Sequence, residues 1–290
     1  MNLAELTRAR DFSIKVSIEA GKILLKHQKN LARLKISYKD AAGVASKADT
    51  DSEEYIIKEI HKLYKDHIIL AEESAYKALG KSSKKNPYSE FQAKEYCWVI
   101  DPLDGTSNYL NGLDYFAICL GLVHKGEVIM GVVYRPVTGE CFSAIREKGC
   151  YLENLKKGTR RQKIFADSNP KRLKNSLLVT GFASEKVSIF NQEFKKFKEM
   201  MAASRGVRRF GSAALDLCYV AQGIMDGFWE RGLAPWDLCA SSLICEEAGV
   251  KLSDYNGCRF QTFQSTIIAA RPPLFKEITD VLNKKNSKRV

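Results

Sequence analysis

The first predicted helix is marked by one face of mostly apolar residues at spacings of three and four. The residues of that face are Leu6, Ala9, Ser13, Val16, Ala20, Ile23 and His27. A second helix is predicted to begin near Thr50, because Thr50 and Glu53 have the spacing of a capping box and isoleucines follow on one face. This start places Asp49 at the mouth of the second helix.

Short apolar runs predict strands, and two of them run directly into acidic residues. Residues 68–71 and 96–100 are expected to be buried strands that end at Glu72 and Asp101. Carboxylates at strand ends are candidates for a functional site. Three further runs predict an antiparallel meander, at residues 115–123, 128–134 and 140–145.

Strands and helices alternate in the second half of the chain. The predicted elements are a strand at 177–181, helices at 189–202 and 212–221, a strand at 227–230, a helix at 235–248, a strand at 266–270 and a terminal helix after Pro272 and Pro273. This mixture, without an internal repeat, favours an α/β or α+β architecture. The polar segment 146–160 is turn-like, so we predict an N-terminal α+β lobe at 1–150 and a C-terminal α/β lobe at 151–290.

Length and composition indicate a globular chain, since 290 residues with 45% hydrophobic content can bury a substantial core. No apolar run approaches bilayer length and the N-terminus lacks a signal-peptide core, so we expect a soluble cytoplasmic protein that does not contact a membrane. The eight cysteines are scattered without a C-x-x-C pair, which favours buried reduced thiols over disulfides. The four histidines lack the spacing of zinc ligands.

The charge of the chain bears on its partners. A net charge of +12 and a pI near 9.2 are compatible with attraction of nucleic acid or of an anionic substrate. The lysines are spread along polar stretches in the manner of solvated surfaces. Nucleic acid is therefore a less favoured partner than a steered anionic substrate.

The candidate chemistry concentrates in residues 98–112, WVIDPLDGTSNYLNG. A buried strand delivers Asp101, Pro102 is expected to stop that strand, and the turn at 104–106 directs the chain toward a helix. Two carboxylates on one tight turn suit magnesium, and the Leu103 carbonyl is free to join them. An Asp-Gly turn without any metal is the alternative for this motif alone.

Five motifs, in order along the chain, resemble those of the inositol monophosphatase family. They are Ser46-Lys47-Ala48-Asp49, Ala71-Glu72-Glu73-Ser74, residues 98–106, Gly211-Ser212-Ala213-Ala214 and Pro235-Trp236-Asp237. The resemblance covers nearly the entire chain and implies an α+β fold, a layered αβαβα sandwich of the inositol monophosphatase and fructose-1,6-bisphosphatase type. It also implies a homodimer that hydrolyses phosphate monoesters with magnesium and is inhibited by lithium, as bacterial inositol-1-monophosphatases are.

The resemblance further implies two or three magnesium ions. A first ion would be held by Glu72, Asp101 and the Leu103 carbonyl. A second would be held by Asp101, Asp104 and Asp237, and a weaker third would share Glu72. The physical argument agrees, since four converging carboxylates repel one another unless divalent cations relieve the repulsion. Taken alone, Glu72 has the alternative of a solvated surface acid and Asp237 that of a helix N-terminal charge.

The implied catalytic residues are Thr106, Asp49 and Glu72. With metal ions activating a water molecule, Thr106 would orient that water while Asp49 accepts a hydrogen bond from the threonine hydroxyl. In isolation, Asp49 is equally a neighbour of a helix cap and Thr106 a turn hydroxyl. Glu73 is expected to support Glu72 or to lie at the surface. Lys39 resembles a supporting lysine of the third ion, although the loop after it is slightly short against the family.

The expected phosphate and alcohol contacts come from both halves of the chain. Gly105 lets the backbone approach a phosphate at a helix start. Glu230 resembles the acid that hydrogen-bonds sugar or inositol hydroxyls, and its alternative is a strand-end acid paired with Arg231 or another base. The full set of expected substrate contacts is Asp104, Gly105, Thr106, Ala213, Glu230 and Asp237.

A small phosphorylated polyol or sugar is the expected substrate, with inositol 1-phosphate as the first choice. Fructose 1,6-bisphosphate, 3′-phosphoadenosine 5′-phosphate and NADP are the alternatives, because relatives with the same metal motif act on them. The segment 76–95 is longer than usual against the family and can reshape the entrance. A hypothesis of another class is a protein that binds RNA or the transcription machinery, which the positive charge allows and the intact acidic set disfavours.

Overall fold

Groups of helices and strands alternate along the chain. The computed structural model describes residues 1–31, 34–38, 44–79, 87–166, 172–182 and 187–283. The helices described are α1 (Leu3–Gln28), α2 (Lys47–Leu63), α3 (Glu72–Leu79), α4 (Ser89–Gln92), α5 (Thr106–Leu110), α6 (Val187–Ala203), α7 (Ala213–Ala221), α8 (Pro235–Glu247) and α9 (Pro272–Leu282). The strands are β1 (Ile36–Tyr38), β2 (Val44–Ser46), β3 (Ile68–Ala71), β4 (Tyr96–Asp104), β5 (Ala117–His124), β6 (Glu127–Arg135), β7 (Glu140–Ile145), β8 (Cys150–Asn154), β9 (Gln162–Ile164), β10 (Leu177–Thr180), β11 (Gly206–Arg208), β12 (Gly227–Arg231), β13 (Lys251–Ser253) and β14 (Thr266–Ala270).

Two sheets divide the molecule into layers. Strands β3 to β9 form a seven-stranded sheet in sequence order, and β10 to β14 form a five-stranded sheet in the order β11-β10-β12-β14-β13. Helices α1 and α2 pack on the outer face of the larger sheet, α7 and α8 lie between the sheets, and α6 and α9 cover the smaller sheet. Three hydrophobic cores lie between the layers: one between α1, α2 and the larger sheet, one around α7 and α8 that contacts both sheets, and one between the smaller sheet and α6 and α9. This αβαβα order confirms the predicted fold class.

Helix α1 follows its predicted apolar face. Asn2 caps it by accepting a hydrogen bond from the Glu5 N–H at 3.0 Å, and the Glu5 carboxylate accepts one from the Asn2 N–H at 2.7 Å. The face contacting the sheet is buried, including Ala9, Val16 and Ala20. The predicted helix is thereby confirmed.

Helix α2 begins earlier than predicted. Its cap is Ser46 and not Thr50, because Ser46 and Asp49 form the capping box. The Ser46 N–H donates to Asp49 Oδ2 at 2.8 Å, while the Thr50 hydroxyl donates back to the Lys47 carbonyl inside the helix. Both pairs have capping-box spacing, and the structure uses the earlier one. Asp49 therefore lies in the first turn of α2, where its carboxylate is held in place.

Strand β4 continues through Pro102, contrary to the prediction that proline would end it. Asp101 pairs with Cys119 and Asp104 pairs with Ala117, so three steps on β4 oppose two on β5. The extra residue makes a bulge, which is where a sheet tolerates a residue without an N–H. As a result, Asp101 and Asp104 both lie in one irregular stretch at the end of β4.

The segment 146–160, predicted to be turn-like, contributes β8, and β9 follows it at the edge of the larger sheet. Partly exposed outer strands carry polar side chains, which hides them from an analysis based on apolar runs. The division of the chain into two lobes stays a prediction. No described helix has the length and apolar character needed to span a membrane. All eight cysteines are free thiols; seven are buried, whereas Cys258 is exposed and departs from the predicted burial.

Candidate metal centre

Three predicted acidic ligands meet at the end of β4 and the start of α8. Carboxylate oxygens of Asp101, Asp104 and Asp237 lie within 4.8 Å of one another. Asp101 and Asp104 are buried, with 1% and 7% of their surface exposed, and Asp237 is partly buried. The bulge in β4 supplies the first two, and the first turn of α8 supplies the third. Asp237 thus joins an acidic group with two residues that lie 136 and 133 positions earlier in the sequence.

Local hydrogen bonds hold the carboxylates of Asp101 and Asp237 by one oxygen each. The Leu103 N–H donates to Asp101 Oδ1 at 2.9 Å, and the Ala234 N–H donates to Asp237 Oδ2 at 2.7 Å. The second bond caps α8, so the helix-terminal role that was the alternative for Asp237 is present alongside its place in the cluster.

Asp104 is held from the second half of the chain. Its Oδ2 accepts hydrogen bonds from the Ser212 hydroxyl at 2.5 Å and from the Ala214 N–H at 2.9 Å. These donors stand at the start of α7, where a negative charge is favoured by the helix dipole. The motif Gly211-Ser212-Ala213-Ala214 therefore fixes a carboxylate contributed by a different layer.

The electrostatics of the cluster favour a bound cation. Burial, followed by the charge of Glu72, raises the pKa of Asp101 well above its usual range. Burial raises the pKa of Asp104 to about 6 in spite of its hydrogen bonds. Burial and the charge of Asp104 raise the pKa of Asp237 well above its usual range. A divalent cation relieves this repulsion, and a set of hard carboxylate oxygens fits magnesium.

Glu72 lies beside this group without belonging to its closest set. It is the first residue of α3, directly after β3, and its charge raises the pKa of both Asp101 and Asp237. The start of α3 is held by the buried Glu53 of α2, which accepts hydrogen bonds from the Glu73 N–H at 2.7 Å and the Ser74 N–H at 2.9 Å. The sequence analysis placed Glu53 in a capping box with Thr50 and did not predict its role in holding α3. The signal for that role is an acid on the buried face of an amphipathic helix. Glu73 itself is buried, so its surface alternative is wrong.

Thr106 and Asp49 meet as predicted from separate parts of the chain. The Thr106 hydroxyl lies 3.0 Å from Asp49 Oδ1 and 3.0 Å from the Leu103 carbonyl oxygen. The other carboxylate oxygen of Asp49 accepts from the N–H and the hydroxyl of Ser46, at 2.8 and 2.5 Å. Asp49 is fully buried, so these bonds set its orientation.

Gly105 permits the tight passage from β4 into α5. Its φ of 94° lies in the left-handed region, and a Cβ there would stand 3.0 Å from the Tyr115 carbonyl oxygen and 3.3 Å from that of Gly211. Asn108 closes the same junction by donating to the carbonyls of Tyr115 at 2.8 Å and Phe210 at 2.7 Å. Sequence reasoning did not identify Asn108, because both its partners are distant in sequence or outside the motif.

A cavity of about 180 Å³ adjoins the cluster and contains the predicted alcohol-binding residues. Glu230 lines it and is 8% exposed, with its carboxylate pressed against Gly181 so closely that a Cβ there has no room. Arg231 pairs with Glu193 at 3.3 Å, so the predicted alternative of a pair between Glu230 and Arg231 does not occur. Ala213 lines the same cavity at the start of α7. Its full lining is Asp104, Gly181, Phe182, Arg209, Gly211, Ser212, Ala213, Asp216, Glu230, Leu233 and Asp237.

Two further predicted features fall wholly or partly outside the described residues. Lys39 lies outside the described residues. Of the segment 76–95, residues 80–86 also lie outside them, but Tyr88 packs edge-on against Trp236 with ring centroids 5.6 Å apart. Burial, with the charges of Asp237 and Glu72, raises the pKa of Tyr88 to about 12. Part of this segment therefore stands next to the acidic cluster.

Comparison with known proteins agrees with the motifs. The sequence profile of the Inositol monophosphatase family matches residues 5–287. Nus factor SuhB of Pasteurella multocida (strain Pm70) is 35% identical over 269 residues, which cover 92% of this chain and 93% of that protein. The solved structure of the extragenic suppressor protein SuhB from Bartonella henselae has a TM-score of 0.80 at 30% identity and covers 96% of this chain and 99% of that one. The structure of inositol monophosphatase from Anabaena has a TM-score of 0.74 at 30% identity, with 96% of each chain covered. The chain therefore belongs to the inositol monophosphatase family of phosphatases.

Proposed function

We propose that the protein hydrolyses the phosphate monoester of a small polyol or sugar, with inositol 1-phosphate as the first choice. Two or three magnesium ions would be held by Glu72, Asp101, the Leu103 carbonyl, Asp104 and Asp237. The observation that carries this proposal is the approach of three carboxylates within 4.8 Å of one another. Without a cation, the mutual repulsion of such a group destabilises the fold.

The chemistry assigned to the chain's own residues is orientation of a water molecule. Bound magnesium would supply positive charge for the phosphate and Lewis acidity for the reaction. The Thr106 hydroxyl donates a hydrogen bond to Asp49. Its lone pairs are then free to accept a hydrogen bond from the attacking water. Water then displaces the alcohol from phosphorus, so the products are inorganic phosphate and the free polyol. No covalent intermediate with the protein is required.

Recognition of the alcohol is assigned to Glu230. Its carboxylate lines the cavity beside Asp104 and Asp237 and has no hydrogen-bond donor among the described residues. A buried acceptor without a donor suits a substrate hydroxyl. The phosphate end would lie against Gly105 and Thr106, and Ala213 would pack beside the ring. Fructose 1,6-bisphosphate, 3′-phosphoadenosine 5′-phosphate and NADP remain the alternative substrates.

The test is phosphate release from inositol 1-phosphate and from these three alternatives, with magnesium and with a chelator. We expect magnesium-dependent release that is fastest from inositol 1-phosphate and that lithium inhibits. The Asp101→Asn variant serves as the control for contaminating phosphatase. No magnesium-dependent release from any of the four substrates would overturn the proposal, whereas a different preferred substrate would change only its finer part.

A second candidate is a role with RNA or the transcription machinery. It is favoured by the name of the relative described above, a Nus factor, and by the net charge of +12. Binding of RNA that weakens steeply with salt and persists in the Asp101→Asn variant would support it. The proposal also includes a homodimer, which the family resemblance implies and light scattering of the purified protein tests. It further includes the cytoplasmic location expected from the sequence.

A further inference from the structure

Asp216 is a buried carboxylate in the wall of the substrate cavity, and neither the acidic cluster nor the Thr106 relay uses it. It lies on α7, is 1% exposed, and lines the cavity together with Glu230 and Ala213. Burial of a carboxylate costs free energy unless its oxygens receive hydrogen bonds. The partners of its two oxygens therefore indicate what the residue does.

One oxygen is held rigidly by the protein. The Tyr115 hydroxyl donates to Asp216 Oδ1 at 2.9 Å. Tyr115 is itself fixed, since its ring packs against Phe210 and Tyr219 with centroids 5.1 and 5.8 Å apart, and the Arg135 guanidinium lies 5.2 Å from the ring centroid. The carboxylate of Asp216 is thus oriented before any ligand arrives.

The second oxygen, Oδ2, has no hydrogen-bond donor within the part of the chain that the structure describes. Neither oxygen of the Glu230 carboxylate has a hydrogen-bond donor among the described residues either. Asp216 and Glu230 line the same cavity of about 180 Å³, and after burial the charge of Asp216 has the largest effect in raising the pKa of Glu230. One wall of the cavity therefore presents two adjacent acceptors that require donors.

We propose that Asp216 determines specificity by accepting a hydrogen bond from a second hydroxyl of the substrate alcohol, next to the hydroxyl accepted by Glu230. This inference rests on the proposed phosphatase function. Two adjacent acceptors read two adjacent hydroxyls, since each hydroxyl donates one hydrogen bond. The cavity therefore prefers phosphate esters of vicinal polyols over esters of simple alcohols.

The test compares inositol 1-phosphate with cyclohexyl phosphate, which has the same ring size without the neighbouring hydroxyls. The readout is the ratio of kcat/KM for the two esters in magnesium. We expect Asp216→Asn to lower this ratio about tenfold, the typical effect of weakening a hydrogen bond to a charged group. Tyr115→Phe keeps the Asp216 carboxylate but removes the hydrogen bond that orients it. It should therefore lower the ratio by less than Asp216→Asn does. The matched control is Asp254→Asn, a buried turn carboxylate that accepts the N–H groups of Asn256 and Cys258, and it should leave the ratio unchanged.

Each outcome decides one point. An equal loss on both esters in Asp216→Asn, or an unchanged ratio accompanied only by a lower Tm, would mean a structural role and overturn the inference. If Asp216→Asn does not fold, an unchanged ratio in Tyr115→Phe overturns it instead. Hydrolysis of cyclohexyl phosphate but not of inositol 1-phosphate overturns this inference and leaves the phosphatase function standing. No release from either ester by the wild-type protein removes the proposed function and this inference together.

Discussion

Removal of divalent cations should make the stability of the protein fall as the pH rises. The pKa of Asp104 is about 6 in the folded protein, compared with an ordinary value of 3.8. Between these two values the folded state keeps a proton that the unfolded state has lost. The stability contributed by this proton is fully present below the unfolded pKa and is lost as the pH rises through the folded pKa.

The magnitude follows from the size of the shift. A difference of 2.2 units between 3.8 and about 6 corresponds to about 3 kcal/mol over the whole range. Above pH 5, about 1 kcal/mol of this remains to be lost. For a domain of this size, that loss lowers Tm by about 2 °C. The raised pKa values of Asp101 and Asp237 act in the same direction and increase the fall.

The assay is thermal unfolding at pH 5 and pH 8, in chelator and in excess magnesium. We expect magnesium to raise Tm more at pH 8 than at pH 5, because the cation competes with protons for the same carboxylates. Asp104→Asn should make the pH dependence of Tm in chelator shallower, while Asp254→Asn should leave that dependence unchanged. A Tm in chelator that does not fall between pH 5 and pH 8, or a magnesium effect equal at both values, would refute this reasoning.

Five substitutions test the separate roles of the site. Thr106→Ala and Asp49→Asn should each lower kcat by roughly two orders of magnitude with little change in KM, and the double variant should be only slightly worse than the poorer single variant; multiplied losses would exclude a relay. Asp104→Asn should severely lower turnover at limiting magnesium while circular dichroism shows an intact fold, and near-normal turnover would remove it as a ligand. Glu230→Gln should impair inositol 1-phosphate more than an aryl phosphate without changing the magnesium requirement; equal losses would indicate a structural acid. Glu53→Gln should raise the magnesium concentration needed for half-maximal activity about tenfold, typical of losing support behind a metal ligand, and an unchanged requirement would show that the start of α3 is held by other contacts.

The parts of the fold that the sequence predicts are those specified by local pattern. The strand 68–71 and the strand 266–270 were predicted at the bounds observed, because each is a short run of apolar residues between polar neighbours. Asp101 and Asp104 could be identified as a pair because one turn carries both. Short elements such as β11 and β13 were not predicted, since three residues give no measurable periodicity.

The contacts that hold the site were out of reach for a different reason. Glu53 supports α3 from a position about 20 residues earlier, and Tyr115 orients Asp216 from 101 residues earlier. Such pairs follow from the packing of layers, which no local pattern specifies. The predicted start of α2 was wrong for a reason of shorter range. Ser46 and Thr50 both offer a cap, and only the tertiary environment of Asp49 selects the first.

In the proposed mechanism, the hydroxyl of Thr106 would link metal binding to the orientation of the attacking water. It has one proton and two acceptors at the same distance, Asp49 Oδ1 and the Leu103 carbonyl oxygen, both at 3.0 Å. It therefore donates to only one of them at a time. If the Leu103 carbonyl were engaged by the proposed magnesium, it would be a poorer acceptor for Thr106, and the hydroxyl would donate its hydrogen bond to Asp49. The threonine lone pairs would then be available to the water. Because the same carbonyl would serve as ligand and as competing acceptor, the proposed metal would favour the active orientation of the relay.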